Sequence, residues 1–464
     1  MRRLLAAGLS CVVSTLPASA AGPAGTPALG EALARFDRAI RAEMDTGASP
    51  GLAAAIVLDG ETLWTASYGS ADVAADRPVD RSSRFILGSI SKLFTALAIV
   101  QLRDAGKLGL DDAVTRHLPW FTLAGTPRPT LTLRELLLQL GGLPREPIGA
   151  SWLDRVMPTK EDLVRTMADE APALPPETAW KYSNLGYAVL GLVVEAASGE
   201  SYADYVAGHI TRPLGMVDTV AAPRADTPGL VTGYGAKAGG RREPRAFLAM
   251  GGVLPAAGIA STAADMARFA AFLLDERDGP VLSAQSRREM MRVQAVFPDW
   301  TGGQGLGFEL RRTGDGTRIG HAGRAAGFAA RFDIDPAHHL GVVILTNADD
   351  GAPTRLVDRA LALLAPVVDA GRPAPPIDPS WQRYVGTFVH KEGSNAFALV
   401  DGRLAWVDPG AAEPARTRIF LDPAGPDRFR FASGGLIGEI VTFQTDPAGR
   451  VIGVQAGGTL YWKQ

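Results

Sequence analysis

Three short runs in this chain carry residue types that can do covalent chemistry together: Ser89-Ile90-Ser91-Lys92, Tyr182-Ser183-Asn184 and His321-Ala322-Gly323. A serine hydroxyl is a weak nucleophile at neutral pH. It needs a base within hydrogen-bond reach and donors aimed at the oxyanion that forms on attack. Residues three apart on a helix share a face, so the Lys92 amine can fold back onto the Ser89 hydroxyl. The run Ser91 to Leu102 is apolar on nearly every side and predicts a buried helix. Burial strips solvent from an ammonium group, lowers the lysine pKa and leaves a neutral base near pH 7. Gly88 permits close approach to the start of that helix, and the helix terminus adds amide donors. The set predicts acyl transfer through a serine.

Tyr182 and Asn184 stand immediately before the apolar stretch Leu185 to Ala197, which reads as a second buried helix ending at Ser198-Gly199. The phenol can relay a proton and the amide can bond a substrate carbonyl. His321 lies in a strand-like region followed by Phe328 to Ile334 and Leu340 to Leu345, two runs that read as a hairpin. Gly323 and Gly327 are expected to let a substrate lie against the strand edge. A backbone N–H near Arg324 is expected to pair with that of Ser89 as an oxyanion hole. Each run alone has an ordinary reading as a helix cap, a turn or a structural histidine. Their order and joint occurrence carry the assignment.

With these residues in place, the chain resembles the serine β-lactamase and penicillin-binding-protein-like superfamily, closest to its class C-like branch of β-lactamases, D-stereospecific peptidases and esterases. Further similar segments are Leu108 to Val114 with His117-Leu118-Pro119, Pro213 to Met216, Gly258 to Met266, Gly305 to Phe308 and Leu345-Thr346-Asn347. The resemblance covers roughly residues 30 to 365. The chain departs from the branch at Gln139-Leu140-Gly141-Gly142-Leu143, where His-Thr-Ser-Gly-Leu is common, and at Pro176-Glu177-Thr178, where Pro-Gly-Thr is usual. His321 stands where β-lactamases typically carry Lys. A neutral imidazole is a hydrogen-bond partner rather than a permanent cation, which favours esters or amides over β-lactams. Arg324 replaces a position that is often glycine, and its guanidinium can bind a substrate carboxylate in bidentate fashion.

The elements that must position these residues are legible more coarsely. Strand-like runs cluster at Leu52 to Leu58 and Leu63 to Tyr68, and again at Arg318 to Leu345, with helical segments between. Joining both ends in one sheet predicts an α+β domain, an antiparallel sheet flanked by helices as in β-lactamases, with the cleft between sheet and helical lobe. A proline-rich linker over 371–380 precedes short strand-like runs at Tyr384 to His390, Ala396 to Val400, Leu404 to Val407, Phe429 to Phe431, Glu439 to Phe443 and Val451 to Val454. Residues 381–464 therefore read as a small antiparallel all-β domain, barrel-like, and the resemblance implies the same. The hydrolase-like domain spans 21–370.

Residues 1–20 have the charged start, apolar core and small-residue end of a secretory signal peptide, with cleavage after Ala20, so a periplasmic or secreted protein is expected. A lipoprotein anchored through Cys11 fits less well, because Gly8-Leu9-Ser10 is a poor lipobox. Cys11 is the single cysteine of the 464 residues, so the processed chain has no disulfide. Removing residues 1–20 leaves 45 basic against 49 acidic side chains, a balance with no case for nucleic-acid binding. No later run is apolar for long enough to span a membrane. The six histidines lack metal-ligand spacing, so neither a metal nor a cofactor is expected.

The sequence thus points to an exported serine hydrolase acting on ester or amide substrates, a D-amino-acid peptide or β-lactam-like compound included. Ser89 carries the acyl group, Lys92 and Tyr182 share the proton traffic, and Asn184, His321, Gly323 and Arg324 bind substrate. The partner is a small molecule or peptide; the oligomeric state is open. The altered Gln139 to Gly142 and Glu177 positions suggest an alternative, a binding or regulatory protein that keeps the cleft with weakened catalysis.

Overall fold

The parity of residues in strand β1 (Gly51–Leu58), buried along its whole length, separates two hydrophobic cores. Successive side chains on a strand point to opposite faces. Leu52, Ala54, Ile56 and Leu58 join Leu29, Phe36 and Ile40 of helix α1 (Pro27–Asp45). Ala53, Ala55 and Val57 belong to the larger core, which holds the helices between β1 and the second half of its sheet. The computed structural model describes residues 27–126, 130–313, 316–372, 378–391, 393–400 and 402–464. The expected signal peptide with Cys11 lies outside them, as do Gly314-Asp315 and linker residues 373–377.

Eight further strands complete the sheet: β2 (Glu61–Asp72), β3 (Arg77–Pro78), β4 (Ala295–Val296), β5 (Gly302–Gln304), β6 (Glu309–Thr313), β7 (Gly316–Ala325), β8 (Phe328–Asp335) and β9 (Leu340–Thr346). Their order is β3-β2-β1-β9-β8-β7-β6-β5-β4, so the two ends of the domain meet at the antiparallel β1–β9 pair, Leu52 opposite Thr346. Asn347 fixes that junction. Its buried amide accepts from Gly51 N at 2.6 Å and donates to the carbonyls of Ser70 and Thr232 at 3.1 and 3.0 Å.

Four longer helices follow α1. Helix α2 (Ser91–Asp104) buries every residue of Ser91–Val100, Lys92 included. Helix α3 (Asn184–Ser198) is capped by the Ser183 hydroxyl, which accepts from Gly186 N, and ends on Gly199 in the left-handed region at φ 80°. Helix α4 (Ala263–Leu274) packs in the same core as α2 and α3. Helix α5 (Pro353–Gly371) packs beside α1 on the other face of the sheet through Leu356, Val357, Ala360, Leu361 and Leu364. The result is a sheet covered on both faces, with the helical lobe on one of them.

The chain divides into two compact units between Asp369 and Ala370. Gly371, expected in the linker, is the last residue of α5, and Pro379-Ser380 begin a 3₁₀ turn. The second unit is a closed antiparallel barrel of eight strands: β10 (Gly386–His390), β11 (Gly393–Val400), β12 (Arg403–Val407), β13 (Ile419–Gly425), β14 (Arg428–Phe431), β15 (Ile440–Thr445), β16 (Val451–Ala456) and β17 (Thr459–Lys463). Two of these, β13 and β17, escaped the sequence reading. Phe388, Phe397, Phe429, Phe431 and Phe443 fill its centre, with the rings of Phe397 and Phe443 5.0 Å apart.

Candidate active site

Ser89 sits in a 3₁₀ turn, Gly88–Ile90, that runs directly into α2. It is partly exposed between buried neighbours, so its hydroxyl is accessible from the cleft. One turn on, Lys92 is fully buried, and its Nζ has three partners: Asn184 Oδ1 at 2.6 Å, the Ala256 carbonyl at 2.9 Å and Ser89 Oγ at 3.2 Å. Burial pushes the Lys92 amine well below the usual lysine range; nearby Glu146 opposes the shift and Arg145 adds to it. Tyr182 Oη donates to Ser89 Oγ at 2.6 Å. Its phenol is pushed up by burial and stays protonated at neutral pH.

The loop that carries Tyr182 is fastened to a second loop, residues 139–146, by short bonds. Ser183 N donates to Gln139 Oε1 at 2.7 Å, Lys181 N to the Gln139 carbonyl at 2.8 Å, and Asn184 N to the Arg145 carbonyl at 2.7 Å. Asn184 Nδ2 donates to Glu146 Oε1 at 2.7 Å. Both ends of the Asn184 amide are therefore engaged, one holding the Lys92 amine and the other the Glu146 carboxylate. Gln139 takes φ 61° and Glu177 φ 59°, the left-handed region in which an asparagine or glycine is more usual. The altered positions are parts of the brace that holds the tyrosine.

Strand β7 runs past the nucleophile turn. Its pairing with β6 ends at Gly320 opposite Glu309, so residues 321–325 extend beyond that neighbour. They lie against the turn instead. A Cβ at Gly323 would stand 1.9 Å from the Leu87 carbonyl oxygen, and one at Gly88, which has φ 55°, would stand 2.5 Å from Arg324 N. A side chain at Gly323 would thus meet the chain itself, while the Gly323 backbone also borders the cavity at Ser89. Gly327 likewise abuts the backbone of Gly233. Both glycines were expected to make room for substrate; close backbone packing gives each of them a structural reason as well.

His321 is buried on β7, with Nδ1 2.5 Å from the Ala322 carbonyl oxygen, an arrangement that puts the proton on Nδ1 and leaves Nε2 as an acceptor. Burial first, and the nearby Lys92 second, bring its pKa down from 6.5 to about 4, with Glu309 opposing. The unfolded chain therefore takes up this proton before the folded one does. The stabilisation is complete above pH 6.5 and is lost as pH falls toward 4, by about 3 kcal/mol at most. His321→Asn is expected to flatten the fall in Tm across that window; a variant as acid-sensitive as the parent would place the proton uptake elsewhere.

Ser89, Tyr182 and His321 open on a cavity of ≈ 710 Å³ whose far wall is Trp180 and Phe297, packed edge-on at 4.9 Å. A second cavity of ≈ 380 Å³ also reaches Ser89, and Asn184 borders it. Arg324 edges both, and its guanidinium donates to the Asp349 carbonyl. The sequence reading missed Arg145, Glu146, Trp180 and Glu309, and took Gln139 only as a departure from the family pattern. Only the polar, proline-flanked run Pro144-Arg145-Glu146-Pro147 carried any signal, and it reads equally well as a surface loop.

The contact between strand and turn gives a direct test. Gly323→Ala must push β7 away from Leu87 and the nucleophile, costing about 1–3 kcal/mol of stability. A displacement of the order of 1 Å at the reacting groups lowers kcat/KM by ~10²-fold. Thermal melts and ester turnover measure both, and parental activity would show that the contact does not set the nucleophile's position.

Comparison with known proteins gives the family and the fold. The Beta-lactamase family model matches residues 36–366. Penicillin-binding protein 4* of Bacillus subtilis is 26% identical over 400 residues, covering 80% of this chain and 85% of that protein. A human protein called putative beta-lactamase-like 1 is 28% identical over 383 residues, 78% of this chain and 75% of its own length. The octameric penicillin-binding protein homologue from Pyrococcus abyssi shares the fold with a TM-score of 0.65 at 22% identity, over 93% of this chain and 98% of that one. SurE superposes with a TM-score of 0.59 at 24% identity, over 94% and 99%. With a family match across most of the first unit and the ordered serine, lysine and tyrosine set, the chain belongs to the Beta-lactamase family, within the serine β-lactamase and penicillin-binding-protein-like superfamily.

Proposed function

We propose that the protein is an exported serine hydrolase that cleaves esters or amides through an acyl-enzyme on Ser89, with D-amino-acid peptides and simple esters ahead of β-lactams as substrates. One observation carries the reading. Lys92 Nζ has three hydrogen-bond partners, and two of them, Asn184 Oδ1 and the Ala256 carbonyl, can only accept. A neutral amine has two N–H groups and one lone pair. With both N–H groups committed, the lone pair is left for the Ser89 hydroxyl proton. Burial favours that neutral form.

Attack then proceeds as the Ser89 proton moves to Lys92 and Oγ bonds the carbonyl carbon. The oxyanion falls between the N–H groups of Ser89 and Arg324. Tyr182, protonated and already on Ser89 Oγ, gives its proton to the departing oxygen or nitrogen, and the proton held on Lys92 restores the phenol. Water repeats the sequence in reverse to release the acid. Asn184 holds Lys92, and His321 offers a neutral acceptor instead of a cation, which favours esters and amides over β-lactams. Export rests on the N-terminal sequence alone. The alternative of a weakened binding protein rests on the altered Gln139 to Gly142 and Glu177 positions, of which Gln139 and Glu177 bond within the loops that hold Tyr182.

Intact-mass analysis tests the reading. Rapid quench after mixing with 4-nitrophenyl acetate, and separately with a penicillin, should give an added acyl mass that is absent in Ser89→Ala. No adduct and no turnover with either donor would put the binding-protein alternative first.

A further inference from the structure

We propose that the second cavity at Ser89 binds a carboxylate carried on the acyl half of the substrate, so that the preferred donors are monoesters or monoamides of dicarboxylic acids. The inference rests on the acyl-enzyme reading above. Four guanidinium groups, those of Arg145, Arg155, Arg245 and Arg324, line this cavity together with the single carboxylate of Asp349. Asp349 is already occupied: Oδ1 accepts from Gly327 N at 2.6 Å and Oδ2 lies 3.5 Å from Arg245. Glu146, 3.4 Å from Arg145, offsets one more charge. Two positive charges remain in excess around one small space, on a chain whose net charge is -2.

Like charges gathered at one concavity repel, and the two carboxylates beside them offset only part of that charge. Each guanidinium has five N–H donors. Arg155 spends one on the Ala246 carbonyl and Arg324 one on the Asp349 carbonyl, which aligns them and leaves other donors. Such a cluster focuses field into the cavity and suits a bidentate carboxylate.

Which half of the substrate enters follows from Tyr182. It borders the aromatic cavity and not this one. The group it protonates leaves on the aromatic side, so the acyl chain that stays on Ser89 lies on the arginine side. A cavity of ≈ 380 Å³ holds a short chain with a terminal carboxylate.

The experiment compares four esters on the full chain: the mono-4-nitrophenyl ester of glutaric acid, 4-nitrophenyl pentanoate of equal length, 3-carboxyphenyl acetate, which puts the carboxylate on the leaving group, and phenyl acetate as its neutral reference. After subtraction of spontaneous hydrolysis, kcat/KM for the glutaryl ester should exceed the pentanoyl ester by ~10- to 100-fold. That ratio should fall toward one in Arg155→Ala and, as an independent variant, Arg245→Gln. It should also fall with added salt, and 3-carboxyphenyl acetate should gain no comparable advantage over phenyl acetate. A glutaryl to pentanoyl ratio near one, a ratio unmoved by both arginine variants, or an equal advantage for the leaving-group carboxylate overturns the inference. Calorimetric titration of Ser89→Ala with monomethyl glutarate against methyl pentanoate separates it from the catalytic reading. Saturable binding of the acid that weakens in the arginine variants supports the site even if no ester is turned over. No binding of the acid overturns it even if neutral esters are.

Discussion

Lys92→Met is expected to lower turnover of an activated ester by ~10²- to 10⁴-fold, the range for removing a positioned general base, while leaving the fold intact. The stability outcome separates a catalytic lysine from a structural one. Lys92 is fully buried with its amine among Tyr182, Asn184 and the Ala256 carbonyl. Replacing a buried ionisable group by an apolar side chain of similar volume is often neutral or stabilising. Against that, Asn184 Oδ1 and the Ala256 carbonyl lose their donor, at about 1–3 kcal/mol each when left unpaired. The two effects oppose, and the melting midpoint should move far less than the rate. The acidic limb of the pH–rate profile, which in the parent reports loss of the neutral amine, should vanish with the residual activity. A variant with intact limb and near-parental rate would remove Lys92 from the chemistry.

How much of this arrangement was legible in the sequence depends on the range of each contact. The Ser89–Lys92 pair is one helical turn long, so its residues announce it together. The buried runs of α2 and α3 and the hairpin of β8 and β9 are equally local and appear where their patterns put them. The union of the two chain ends in one sheet was inferred, since both clusters of strands needed partners. Gln139, Glu146 and the Ala256 carbonyl are different: they reach the site from segments 38 to 164 residues distant from their partners, Ala256 from the short helix Leu254–Ala257. Nothing in Glu146 distinguishes it from a solvated loop residue until the fold closes, and Gln139 stood out only as a departure from the family pattern, with no sign of what it holds. Asn184 was found from its place before a helix, but its partners Lys92 and Glu146 were not, because a sequence shows an amide and not what occupies each end of it. In the barrel, β13 was hidden by Asp422, Pro423 and Gly425 inside the strand; the pairing with β14 is irregular between Pro423 and Gly425, where a bulge admits the proline.

The division of labour at Ser89 predicts a leaving-group dependence that neither residue alone would give. If Lys92 takes the serine proton and Tyr182 supplies the proton to the departing atom, Tyr182→Phe should matter in proportion to how badly that atom needs one. For an alkyl ester or an amide, whose leaving group is strongly basic, the loss should be ~10²- to 10⁴-fold. For a 4-nitrophenyl ester, whose leaving group departs as the anion, it should be no more than ~10-fold, with the remainder coming from the lost 2.6 Å bond that orients Ser89 Oγ. Lys92→Met should depress both substrates alike, because both require the serine to lose its proton. The phenylalanine keeps the ring under the Arg145 guanidinium, 5.1 Å from its centroid, and beside Trp180 at 6.2 Å, so the loop should stay in place. Single-turnover rates for the two ester types on both variants measure the four values. Equal losses on both esters in Tyr182→Phe would make the phenol the base for attack and leave Lys92 to hold it; selective loss on the alkyl ester fixes Tyr182 as the acid.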